Sequence, residues 1–138
     1  MIDPGATMSW NTELICLALA TVLGIVQMVW AAGAARKQQG LAWAIGSRDE
    51  PRPVTGVAAR LERALRNYLE NYPFFAAAIL MVLVSGTAGA LSEIGAIAFV
   101  AARIAYVPLY ASGVKRIRSY VWFVGLIGLL LVLIQPFV

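Results

Sequence analysis

Histidine is absent from this chain, cysteine occurs once, and acidic residues number only seven among 138. Without histidine, the commonest general base and the commonest metal ligand are missing. A lone Cys16 excludes an intrachain disulfide and a cysteine metal cluster. Any chemistry must therefore run on Arg, Lys, Tyr, Glu, Asp or a bound reagent, and no metal is expected. Charge of either sign is scarce: 13% of residues are charged and 61% are hydrophobic, with a mean hydropathy of +0.78. A soluble domain of this length cannot hide so much apolar surface.

Long uncharged runs are what the chain has instead. Residues 14–35, 71–92 and 119–138 carry no charge, and a fourth run, 94–114, is interrupted only by Arg103. Each is about 20 residues, enough to cross a hydrocarbon core of roughly 30 Å. The pattern predicts an all-α membrane protein, a single domain of four transmembrane helices over about residues 10–37, 56–84, 91–112 and 118–137. A cleaved signal peptide is not expected, because Asp3 and Glu13 rather than Lys or Arg precede a first run too long for a signal core. The leader over residues 1–12 is read as loosely ordered at its start.

The formal charge of +4 reports orientation, not nucleic-acid binding. Seven of the eleven basic residues lie within 36–66, and Lys115, Arg116 and Arg118 sit between the third and fourth spans. The N-terminus and the turn between spans two and three carry only Asp3, Glu13 and Glu93. By the positive-inside rule, loops one and three face the cytoplasm and both termini face the periplasm.

Trp10 and Trp30 are expected as interfacial anchors of the first span. Residues 38–55, with Gly40, Gly46, Pro51 and Pro53, read as a loop, and Thr55 as the N-cap of the second helix. That helix outruns the bilayer, and Pro73 inside it predicts a kink, since it offers no N–H to the Leu69 carbonyl. The small, Gly-rich turn after it makes spans two and three antiparallel neighbours.

Three constellations stand out. At roughly 100° per residue, Arg63, Asn67 and Glu70 fall within about 60° of one another, with Arg66 beside them. Leu61, Leu65, Tyr68, Leu69 and Tyr72 take the opposite side. A solvated helix start with Arg60, Arg63 and Arg66 snorkelling to lipid phosphates would explain part of this stripe. Asn67 and Glu70 lie deepest, at the edge of an uncharged span, where an acid needs a partner from another helix or a ligand. The second constellation is Arg103, Tyr106 and Tyr110, on one face of the third span. A lone arginine there should point into the bundle and pair with an acid, Glu70 being the obvious one. The third is Lys115, Arg116 and Arg118. Such a cluster enforces topology, but Arg118 opens the fourth helix and can turn back toward the bundle. A guanidinium beside a bound thiol would hold it as the thiolate nucleophile.

Arg63-x2-Arg66-Asn67-x2-Glu70-x2-Pro73, followed by Arg103-x2-Tyr106-x3-Tyr110 and Arg118, resembles the MAPEG proteins, the membrane-associated proteins of eicosanoid and glutathione metabolism. The likeness runs from the first helix to the fourth, and compact bacterial members are the nearest in kind. It implies a homotrimer of four-helix subunits in a bacterial inner membrane. Glutathione would be the co-substrate, held between neighbouring subunits, with a lipophilic small molecule drawn from the lipid bilayer as the second substrate. Carried over by motif, Arg63, Arg66, Asn67 and Glu70 would grip the glutathione carboxylates and amine. Arg103, Tyr106 and Tyr110 would belong to the same pocket, and Arg36 would come from the neighbouring subunit. Arg118 best matches the catalytic arginine, with Arg116 as the alternative, because the preceding loop is a residue shorter than in some members. Asn71 stands where some members carry an aromatic residue.

The implied activity is glutathione transfer to lipophilic electrophiles, or reduction of lipid hydroperoxides. A noncatalytic lipid-binding scaffold of the same fold is the alternative. A small proton-coupled multidrug transporter would use Glu13, but only a polar leader precedes that acid, which places it at the outer interface. Cys16 is read as packing.

Overall fold

A computed structural model describes residues 10–138; residues 1–9 of the leader expected over 1–12, with Asp3, lie outside the described residues. Every regular element among them is helical: α1 (Thr12–Gln39), α2 (Leu41–Ile45), α3 (Gly56–Ser85), α4 (Ala90–Ala111) and α5 (Arg116–Ile134), closed by a 3₁₀ turn, Gln135–Phe137. The helices α1, α3, α4 and α5 (with its closing turn) are long and apolar enough to cross a membrane, and they are the four spans expected.

Local chemistry sets the helix ends. Asn11 accepts the Leu14 amide at 3.0 Å through its side chain and caps α1. Gly40, at φ 86°, ends α1 where a side chain would be strained. The short α2 then departs from the plain loop expected over 38–55. The loop is tied back to α1, since Gln38 pairs with both the carbonyl and the amide of Thr55, and Gln39 and Arg52 exchange bonds. Thr55 does occupy the N-cap of α3, but its hydroxyl makes no capping bond. The helix α3 continues through Pro73 and stops at Gly86, whose amide and that of Thr87 reach back to Leu83 and Val82. Arg116, not Arg118, opens α5, so Arg118 lies in its first turn.

The helix α1 packs on α3 and α4, α3 also meets α5, and the closest pairing is α4 with α5. Glycines permit that approach: a Cβ on Gly128 would lie 2.6 Å from the Gly95 carbonyl oxygen, and one on Gly95 would lie 2.5 Å from that of Gly128. In lipid, where apolar burial adds little, such contact of backbones holds helices together. Phe75 and Phe99 stack with ring centroids 4.0 Å apart, and Ile79, Val82 and Val132 close around them, all fully buried. Cys16 sits in this cluster, as a packing residue would. Outward-facing Leu19, Val22, Ile25, Ile127 and Leu130 remain exposed, which suits a surface bathed in lipid.

Candidate functional site

The polar stripe of α3 does not face one way. It straddles a ridge. On one flank, Arg60 and Arg63 join Tyr110, Gly113, Lys115, Arg116, Arg118 and Ser119 around an open groove of about 530 Å³. Beside it lies a second cavity of about 310 Å³, walled by Asn67, Tyr106, Arg118, Ser119, Trp122 and Phe123. Arg118 and Ser119 belong to both. On the other flank, Arg66 and Glu70 line a separate groove with Glu62, Leu65 and Leu69. Arg36 lines a fourth hollow, with Arg48, Trp43 and again Glu62. The candidate residues thus fall into two sets on one chain: Arg63, Asn67, Tyr106, Tyr110 and Arg118 together, and Arg36, Arg66 and Glu70 apart. Helical geometry explains the division. Asn67 and Arg66 are about 100° apart on the same helix, enough to send neighbouring side chains to opposite sides of a crest.

Arg118 is half-buried and its guanidinium lies 4.3 Å from the centre of the Tyr110 ring, a close cation–π contact. Tyr110 in turn meets Tyr106 edge-on. The first turn of α5 carries no acid, so its free amides and Lys115, Arg116 and Arg118 all add positive potential at one place. That arrangement disfavours the bare helix end and favours an anion beside it. Arg116 is exposed and touches only the outer groove; Arg118 alone of the two reaches the inner cavity. Arg60 is partly used already, donating Nε to the Ala111 carbonyl at 2.7 Å.

The expected Arg103–Glu70 clasp does not form. Arg103 is 1% exposed, and its Nη1 donates to Asn67 Oδ1 at 2.8 Å. Its Nε and Nη2 have no partner among the described residues. Glu70 is exposed on the far flank of α3, out of line with α4. The residues assigned to the side of α3 opposite the stripe also divide: Leu61 and Tyr68 are buried, but Leu69 is 55% exposed. Tyr68 donates its hydroxyl to the Ala20 carbonyl.

Sequence reasoning missed Trp122 and Phe123, although Trp122 is one helical turn beyond Arg118 and that spacing was available. Glu13 is expected at the outer interface. Glu13 is in the first turn of α1, as far from mid-span as expected, yet it is buried and accepts the Ser92 hydroxyl. Gln27 is buried too, its amide unpaired among the described residues. Nothing in the sequence pattern had singled it out.

Four spanning helices mark an integral membrane protein, and a cationic groove and an aromatic-lined cavity lie side by side near one end of its bundle. The model of the MAPEG family matches residues 14–138, nearly the whole chain, and the protein belongs to that family. No curated protein and no solved structure matches it. Among the described residues, no group of histidine, cysteine or acidic side chains is placed to hold a metal.

Proposed function

We propose that the protein is a glutathione-dependent membrane transferase, joining the glutathione thiolate to lipophilic electrophiles or using it to reduce lipid hydroperoxides. The observation that carries this reading is the position of Arg118 at the junction of a cationic groove and an aromatic cavity. Membership of the MAPEG family supports glutathione as the reagent.

Glutathione offers two carboxylates, one ammonium and one thiol. Arg63 and Arg66 suit the carboxylates, because a guanidinium fork matches a carboxylate in two hydrogen bonds. Glu70 suits the ammonium, and Asn67, Tyr106 and Tyr110 the remaining polar groups. At the junction, Arg118 and the amides of the first turn of α5 favour the ionised thiol. The thiolate then attacks an electrophilic carbon, and the leaving group departs with the bonding electron pair. With a hydroperoxide, sulfur takes the terminal oxygen and the alcohol leaves; a second glutathione turns the sulfenic acid into disulfide and water. Trp122 and Phe123 line the route for an apolar substrate already concentrated in the bilayer.

The two sets of residues on different faces fit a homotrimer. A contact between unlike faces propagates, and it closes into a ring when the rotation is threefold. Arg36, Arg66 and Glu70 of one subunit would then complete the Arg118 half-site of the next. Loops one and three, and with them the cationic groove, face the cytoplasm of a bacterial cell, where glutathione is available.

Detergent-purified protein given glutathione and an aryl halide is expected to turn over. Arg118→Ala removes most of the rate, and Arg116→Ala leaves most of it. A wild-type rate in Arg118→Ala takes that residue out of the mechanism. Glutathione binding with neither thiolate nor turnover makes the protein a noncatalytic lipid-binding scaffold instead.

A further inference from the structure

Arg103 heads the fully buried side chains by volume, and neither topology nor snorkelling accounts for it. It lies within α4, and its guanidinium is bracketed by the rings of Phe99, at 5.2 Å, and Tyr106, at 5.5 Å. It lies beside Gly125, where an added Cβ would stand in ordinary contact with Nε at 3.5 Å. Among the described residues it has no carboxylate partner, and it lines neither the groove nor the inner cavity. Its one hydrogen-bond acceptor among the described residues is Asn67 Oδ1, and Asn67 does line the inner cavity.

A carboxamide has an accepting end and a donating end that exchange by a half-turn of the side chain. A guanidinium only donates. Facing Arg103, the Asn67 amide can satisfy it in one orientation alone, with oxygen turned inward. The other orientation sets NH₂ against a buried cation and leaves that cation without any acceptor, which a low-dielectric interior penalises heavily. The Phe99 and Tyr106 rings bracket the guanidinium, so the amide is the part that must comply.

We infer that Arg103 is a positioning residue that fixes the polarity of Asn67, so that the cavity is met by the Nδ2 donor and never by the oxygen. This wall of the site thereby selects a hydrogen-bond acceptor, a carboxylate or a peptide carbonyl, on the thiol co-substrate. The inference rests on the glutathione reading above. It adds that Arg103 acts through Asn67 without touching the ligand.

The test uses full-length protein in detergent, with glutathione as the probe. Calorimetric titration and steady-state kinetics are run on wild type, Arg103→Met, Arg103→Lys and Asn67→Asp. With the amide free to turn, Arg103→Met is expected to lose about tenfold in glutathione affinity, matched by a rise in KM. Its kcat at saturating glutathione should stay within about twofold of wild type, because Arg118 still faces the thiol. Arg103→Lys retains a cationic donor and should recover most of the affinity. Asn67→Asp keeps an acceptor for Arg103 but offers the cavity no donor; it should melt no lower than wild type and lose about tenfold or more in affinity. If Arg103→Met does not fold, Arg103→Lys and Asn67→Asp decide the matter. Wild-type affinity in Asn67→Asp or Arg103→Met, or Arg103→Lys as weak as Arg103→Met, overturns the inference while leaving the function standing. Wild type that does not bind glutathione overturns the function, and this inference with it.

Discussion

At the end of the bundle where α1 begins, polar groups are paired off. Glu13 accepts the Ser92 hydroxyl, the Gly89 amide donates to that hydroxyl oxygen, Gln135 accepts the Ser92 amide, and Thr12 donates to Glu93. Behind them, Phe75, Phe99, Ile79, Val82 and Val132 form a dry core. At the other end, Arg63, Lys115, Arg116 and Arg118 stand around an open groove that no acid among the described residues lines. One end spends its polar groups on holding helices together. The groove at the other end gathers cations without an acid among its described lining residues, at a cost in mutual repulsion that an anionic ligand would relieve.

Substitutions can break that contrast, and they should not act alike. The largest expected effect is on rate. Arg118→Ala is expected to lower conjugation by about 10²–10³-fold, the usual consequence of removing one group that stabilises a reacting anion. Its pH–rate curve should also rise at higher pH than that of wild type, because the bound thiol ionises less readily without the guanidinium. Next comes stability at the packed end. Gly128→Val would drive a side chain against the Gly95 carbonyl and the Phe99 amide, 2.6 and 2.8 Å from the new Cβ. Backbone atoms cannot swing aside, so a loss of about 1–3 kcal/mol is expected, seen as a lower melting temperature in detergent. Smaller again is the outer cationic rim. Lys115→Ala and Arg116→Ala should weaken glutathione binding a few-fold at low salt, with the difference from wild type shrinking as ionic strength rises. Smallest is Glu13→Gln, which keeps an acceptor for Ser92; it should change stability by less than about 1 kcal/mol and leave conjugation untouched. Dye efflux that depends on Glu13 would instead revive a transport role.

The fold was legible because charge and hydropathy are segregated so sharply. Uncharged runs of about 20 residues, with Gly and Pro between them, marked all four spans and placed most of their ends within about two residues, the scatter usual at helix termini. The helix α2 escaped because five residues carry too little periodicity to read. The candidate residues could be singled out along the chain, but how the fold groups them could not. A helical wheel places Arg63, Asn67 and Glu70 on one broad face, yet which flank of that face meets α4 and α5 depends on packing that no single helix encodes. For the same reason Arg103 could be expected to turn inward, but its partner could not be chosen: Asn67 faces α4, and Glu70 has already rotated past it. Glu13 shows the converse. Its burial depends on Ser92, a residue 79 positions away.

The most direct measurement is the ultraviolet difference absorbance of glutathione on binding at neutral pH, compared between wild type and Arg118→Ala. The account predicts a thiolate band in wild type, and its loss in Arg118→Ala even at glutathione concentrations that saturate the variant. A thiolate band of equal strength in both proteins would contradict it, because the charge that ionises the thiol would then lie somewhere other than the junction of the two cavities.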